Sequence, residues 1–229
     1  MTDEGKGGVR RPAVAGSFYE GTAAALRRQV EACLPPDAAG GDRQPAIAAV
    51  CPHAGLLYSG KTAGAVYARL APPETLVILG PNHHGVGAAA ALPSHAEWET
   101  PLGPVAIDRD LAEAVRAASR WLEVDDRAHA QEHSIEVQLP FLRHLMPGAR
   151  LLPIAIGGIG PAEVQEVGRA LAEGVRATGR RAVLVASTDF SHYVPRAVAE
   201  RRDRHALDAI RALDGEGLLA AVRRERITM

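Results

Sequence analysis

The chain has 229 residues, with 26 Lys and Arg against 27 Asp and Glu, for a net charge of −1. That balance gives no strong positive field of the kind that draws nucleic acid or an anionic membrane, so neither is expected as a partner, and no apolar run reaches the roughly 18 residues a membrane-spanning helix needs. Hydrophobic residues are 47% of the chain but aromatics only 4%; the core must be built from Ala, Val, Leu and Ile, and a chain this long can bury it in one α/β domain.

In chain order, residues 1–10 read as a disordered tail and residues 11–19 as an extended entry segment with a turn at Gly16. The amphipathic stretch 22–34 predicts a helix stopped by Pro35-Pro36, and 37–45 a Gly/Asp loop. Residues 46–51 predict a buried strand, 59–70 a helix, and 75–80 (Thr-Leu-Val-Ile-Leu-Gly) the clearest strand of the chain. Together they make a βαβ unit. Residues 85–106 are less regular, with hairpin strands around Trp98 and Gly103. Asp108 caps a helix to about residue 118, and 134–146 predicts another helix, which Pro140 kinks or restarts. A strand over 150–156, a helix over 161–178 opened by Pro161, a buried strand over 182–187 and helices over 198–213 and 216–225 complete the order. The pattern is α/β: a single domain with a central mixed, largely parallel sheet flanked by helices.

Two cysteines, Cys33 in a predicted helix and Cys51 at a strand end, supply no disulfide framework. With no signal-peptide pattern in the polar N-terminus, a reducing, cytoplasmic setting is the expectation.

The nine histidines are not spread evenly. Four short segments, three of them directly after strand-like stretches, gather five of them with three carboxylates. In an open α/β sheet the carboxyl ends of parallel strands meet at one edge, where ligands bind, and that composition suits a metal centre or acid/base chemistry. In Cys51-Pro52-His53-Ala54-Gly55, Pro and Gly fix a tight strand-to-helix turn that leaves the imidazole at the sheet edge; a turn histidine bonded only to backbone is the plainer alternative. In Gly80-Pro81-Asn82-His83-His84 the adjacent side chains diverge, so one ring faces the cleft and the other its surroundings or solvent. In Glu132-His133-Ser134-Ile135-Glu136, helical spacing would bring Glu132 and Glu136, or His133 and Glu136, together, for metal binding, proton transfer or simple capping. In Ser187-Thr188-Asp189-Phe190-Ser191-His192, Asp189 and His192 are spaced for a carboxylate–imidazole pair, which fixes the tautomer and raises basicity. Tyr58 lies beside the first cluster as a hydrogen-bond donor or a packing residue. His95, His129, His144 and His205 lack such context, and His144 and His205 read as helix-surface residues. Serine-hydrolase, dinucleotide and Walker motifs are absent.

Together with Ala15-Gly16-Ser17-Phe18-Tyr19, Tyr58-Ser59-Gly60 and Val137-Gln138-Leu139-Pro140-Phe141, these segments resemble the MEMO family, which includes protein B of the AmmeMemoRadiSam system; the match spans residues 11–229. The resemblance implies a fold similar to the LigB-type class III extradiol dioxygenases, which use non-haem iron. It implies an iron or copper site with His53 and His83 as metal ligands. Asp189 and His192 are then the catalytic pair, His192 matching the acid/base position, with His84, His133, Glu136 and Tyr58 lining the cleft. The family's third ligand, a Cys followed by Gly, would come about where this chain ends. The expectation is a domain lacking its C-terminal part, in which Asp189, Glu136 or His192 would take that place and approach a two-His-one-carboxylate site.

The implied activity is dioxygenase-like oxidoreduction, acting on a small-molecule or peptide ligand. A radical-SAM protein and an AMMECR1-like protein are the implied partners. A non-catalytic peptide- or protein-binding module in the same cleft and a zinc-dependent hydrolase are the competing readings.

Overall fold

The computed structural model describes residues 8–38 and 41–228. They fall into two compact units, one ending at Ser187 and the other running from Thr188. In the first unit β1 (Val9–Arg10), α1 (Ala23–Cys33), β2 (Ala48–Cys51), α2 (Leu56–Arg69) and β3 (Thr75–Pro81) come first. Then come β4 (Ala90–Leu92), β5 (Glu97–Trp98), β6 (Val105–Ala106), α3 (Arg109–Ala117), β7 (Glu123–Val124) and α4 (Arg127–Ala130). A 3-10 turn (Glu136–Gln138), α5 (Leu139–Leu145), β8 (Arg150–Ile156), α6 (Pro161–Thr178) and β9 (Ala182–Ser187) close it.

The main sheet has the order β2-β9-β3-β8-β4-β7. Its first four strands are mutually parallel, β4 runs antiparallel to β8, and β7 is parallel to β4. This is the mixed, largely parallel α/β sheet the sequence order predicts.

Strand periodicity explains the two-sided core. In β3, Leu76 and Ile78 point to one face and Val77 to the other, as alternation requires. The first face packs Leu26 and Val30 of α1, Ala63 and Tyr67 of α2, and Phe141 and Leu142 of α5. The second packs Leu111 and Val115 of α3 with Val167, Ala170 and Leu171 of α6. Strands covered on both faces read as continuous apolar runs, which is why β3, β8 and β9 are legible and the short edges are not. The Ala-rich β4 carries weak strand propensity, yet it is fully buried against β8.

Three local departures from the sequence reading have identifiable causes. The helix expected from residue 59 begins at Leu56, because Gly55 serves as its cap and the Leu56 N–H is held by the Phe18 carbonyl at 2.8 Å. The helix expected over 134–146 is a turn and a 3-10 segment that become α-helical only at Leu139. Pro140 sits in the first turn of α5, where a missing N–H costs least, so it restarts the helix. The tail expected over 1–10 lies outside the described residues as far as residue 7. Val9 and Arg10 form β1, which pairs with β5 in a separate three-stranded sheet with β6. The β5–β6 hairpin turns through Gly103 at φ +111°, a conformation an L side chain rarely adopts.

The second unit contains α7 (Arg196–Arg211) and α8 (Gly215–Glu225), joined by a turn in which Leu213 has φ +54°. Asp214 caps α8 by accepting the Gly217 N–H at 2.8 Å. Among the described residues no helix is long and apolar enough to cross a membrane.

Two histidines without sequence context turn out to lie inside. His144, expected on a helix surface, is half-buried because α5 packs against α1 and α2. His129 is fully buried; its ring meets Trp98 edge-on at 5.4 Å, and its Nε2–H donates to the Ala91 carbonyl at 3.1 Å. Burial, reinforced by the Arg10 guanidinium, pushes its imidazole down to about 4. The unfolded chain, with an ordinary histidine near 6.5, therefore takes up the proton first. The stability carried by neutral His129 is fully present above about pH 6.5 and lost as pH falls through 4, by about 3 kcal/mol at most. Denaturant unfolding of wild type and His129→Gln from pH 4 to 7 should show the wild-type slope flattened in the variant; identical slopes would refute the assignment.

Candidate metal centre

Strands β2, β9 and β3 lie side by side and parallel, with Cys51 opposite Ser187 and Leu79 opposite Ala186. Their carboxyl ends therefore meet at one edge. His53 follows β2 by two residues and His83 follows β3 by two residues. The third contributor, His133, comes from the loop between α4 and the 3-10 turn. That loop is drawn onto the end of β3: the Ser134 hydroxyl donates to the Pro81 carbonyl at 2.9 Å. A Cβ at Gly80 would lie 2.5 Å from Ser134 Oγ, so only glycine permits the approach.

His53, His83 and His133 form one cluster. Each offers a ring nitrogen, and these atoms lie within 4.8 Å of one another. The rings of His83 and His133 stack with centroids 4.5 Å apart, and His53 meets both edge-on at 5.3 and 5.6 Å. The cluster grades outward from buried His53 through half-buried His133 to exposed His83. Phe18 packs against His133 with centroids 4.6 Å apart.

Glu132 orients two of the rings. Its buried carboxylate accepts the His83 Nδ1–H at 2.8 Å and the His83 backbone N–H at 2.6 Å. It also takes the backbone N–H groups of His133 and Ser134 at 2.9 and 2.8 Å, and His133 Nδ1 stands 3.3 Å away. Burial alone would raise this carboxyl, but the hydrogen bonds from His83 and Ser134 and the His83 charge outweigh it and hold the group at about 2. An acceptor-only carboxylate on Nδ1 gives the coordinating role to Nε2 and raises its basicity, as in carboxylate–histidine–metal arrangements. On the remaining ring, His53 Nδ1 lies 3.1 Å from Ser187 Oγ. Three imidazoles held in this way make a donor set that can hold a metal ion of the kind imidazole favours.

The other residues singled out in the sequence have different surroundings. His84 diverges from His83, is exposed, and places Nε2 3.1 Å from the Gln131 carbonyl. Tyr58 projects from the first turn of α2 and is 83% exposed. Glu132 and Glu136 do not share a helix face, since the segment between them is not helical. Glu136 is instead fully buried on the N-terminal segment. Its carboxylate accepts Arg10 Nη1 at 2.8 Å, the Ala13 and Val14 N–H groups at 2.8 and 3.0 Å, and the Tyr19 hydroxyl at 2.7 Å. Burial and the adjacent Glu136 charge push the Tyr19 phenol well up.

Arg10 also donates to the His129 and Glu132 carbonyls, both at 2.8 Å, and lies over the Trp98 ring at 4.1 Å. The arginine thus brackets the loop that carries His133. In the second unit, His192 Nε2 lies 3.5 Å from Asp189 Oδ2, while Nδ1 lies 3.0 Å from the Thr228 carbonyl.

Sequence reasoning quoted Ser187 and Gln138 within their segments without giving them a role, and weighed Glu132 for metal binding, proton transfer or capping but not for orienting His83. The available signals were a serine ending an apolar strand and a Glu directly before a cluster histidine.

Residues 10–229 match the family model described as Memo-like protein. A MEMO1 family protein of Methanothermobacter thermautotrophicus is 42% identical, the match covering 96% of this chain and 83% of the relative. Those of Pyrobaculum aerophilum and Methanopyrus kandleri are 40% and 39% identical, covering 92% and 96% of this chain and 78% and 82% of the relatives.

Removing one partner of a buried ion pair strands the other charge. Glu136→Ala should therefore lower unfolding free energy by about 3–5 kcal/mol, measured by urea denaturation. A loss below about 1 kcal/mol would match an exposed pair and contradict the buried network.

Proposed function

The chain belongs to the Memo-like family, and we propose that it is a metal-binding protein whose His53, His83 and His133 hold redox-active iron or copper and support dioxygenase-like oxidoreduction. The observation that carries the reading is the convergence of three imidazoles, one of them anchored at Nδ1 by an ionised carboxylate that also stands beside a second. Iron and copper both accept imidazole ligands, and the resemblance to the MEMO family, which implies a fold similar to that of non-haem iron dioxygenases, favours them. His133 supplies the third imidazole donor beside His53 and His83. A redox metal bound there would supply electron transfer and an open position for an oxygen-donor ligand.

The chain's own residues orient the ligands and move a proton. Glu132 fixes the His83 ring and steadies that of His133. In the Asp189–His192 pair, the Thr228 carbonyl accepts from Nδ1–H, which leaves Nε2 as the basic nitrogen. The Asp189 carboxylate stands 3.5 Å from that nitrogen. We read this pair as the general base of the reaction.

A three-histidine donor set is also one that catalytic zinc adopts, with its fourth position open to water, and it supports a hydrolase as the second reading.

Metal analysis of protein purified without oxygen should find iron or copper near one per chain. His133→Ala should lose it while keeping its circular dichroism, and His84→Ala should retain it. Glu132→Ala should bind about 10–100-fold more weakly. Full metal content in His133→Ala would exclude the three-histidine site, and zinc at one per chain would favour hydrolysis.

A further inference from the structure

Ser187 ends β9 and is buried at the same sheet edge as His53. Its hydroxyl has three neighbours. It lies 2.6 Å from the Ser134 carbonyl, 2.8 Å from Gln138 Nε2 and 3.1 Å from His53 Nδ1. A hydroxyl has one hydrogen to give and two lone pairs to receive with. The Ser134 carbonyl can only accept, so the hydrogen points there.

The Gln138 amide is oriented by chemistry as well. The nitrogen facing Ser187 also stands 2.9 Å from the Pro52 carbonyl, which again can only accept, so the NH2 end faces both. One lone pair of Ser187 Oγ is therefore filled by Gln138. The only role left toward His53 is that of acceptor. His53 must then carry a hydrogen on Nδ1, and in the neutral ring its lone pair is on Nε2, the form in which Nε2 can ligate a metal.

We propose that Ser187 is a positioning residue that fixes the tautomer of His53, with Gln138 and the Ser134 carbonyl fixing the direction of the Ser187 hydroxyl. Its consequence for metal affinity rests on the metal reading given above; the tautomer itself does not. The relay also joins the two halves of the cluster. Ser134 gives its N–H to Glu132, which orients His83, and lends its carbonyl to Ser187, which orients His53. One residue of the loop thereby sets the direction of hydrogen bonding on both sides.

The test is 15N-histidine NMR of the chelator-treated full chain at pH 8, with the His53 signals assigned by their absence in His53→Gln, combined with anaerobic Fe(II) titration. Wild type should show His53 protonated at Nδ1 and unprotonated at Nε2. Ser187→Ala should give an averaged or Nε2–H ring and an Fe(II) dissociation constant about 10–100-fold larger. Ser187→Thr, which keeps the hydroxyl, should restore the wild-type tautomer. An Nε2–H ring in wild type, or an unchanged ring and affinity in Ser187→Ala, would overturn the proposal. The wild-type spectrum decides the matter even if Ser187→Ala does not fold. A wild type that takes up no iron but shows the Nδ1–H ring would support the relay and count against the metal reading alone.

Discussion

A buried carboxylate must find its partners among hydrogen-bond donors, and that of Glu132 finds them in three backbone N–H groups and the His83 ring. Leaving such a charge unsatisfied inside a protein costs several kcal/mol, so this requirement shapes the loop around it. The chain must place residues 83, 133 and 134 with their N–H groups toward one point. In doing so it brings the end of β3 and the loop after α4 into contact. The histidine cluster follows from that arrangement, because His83 and His133 are the residues whose backbone the carboxylate needs.

A second buried charge holds the same loop from behind. Arg10 and Glu136 satisfy each other and also bind the His129 and Glu132 carbonyls and the N–H groups of Ala13 and Val14. Every Glu136 oxygen is occupied, so this carboxylate serves architecture. The N-terminal strand β1 is therefore part of the site's support. Phe18, carried on the same segment, packs on His133 and receives the first helical N–H of α2 on its carbonyl. Two acidic residues four apart thus have separate tasks: Glu132 orients rings, and Glu136 locks the entry segment to the loop.

The cluster's graded exposure gives these contacts a functional sense. His53 is held inside by a saturated hydroxyl, whereas His83 stands at the solvent edge with its Nδ1 tied to Glu132. Rings anchored at Nδ1 lose rotational freedom before any ligand arrives, which lowers the ordering cost of binding. An open outer side leaves room for exchange. A site of this kind combines rigidity in its donors with access for whatever completes it.

By itself the sequence determined the fold class and the strands that carry the site. Long apolar runs bounded by Gly and Pro have one stable placement, between two helical layers, and β3, β8 and β9 lie where those runs stand. It also determined that histidines fall at strand ends, since His53 and His83 directly follow such runs. It did not reveal β4, whose alanines signal no strand, nor the loop form of residues 131–135, which has helical spacing without being helical. Only the tertiary structure decided that His133 joins His53 and His83, that Glu132 and not Glu136 serves the rings, and that Arg10 belongs to the core. The physical reason is common to all three. A buried charge is settled by donors far away in the chain, as Arg10 and Glu136 are across 126 positions, and local periodicity carries no information about which of them will meet.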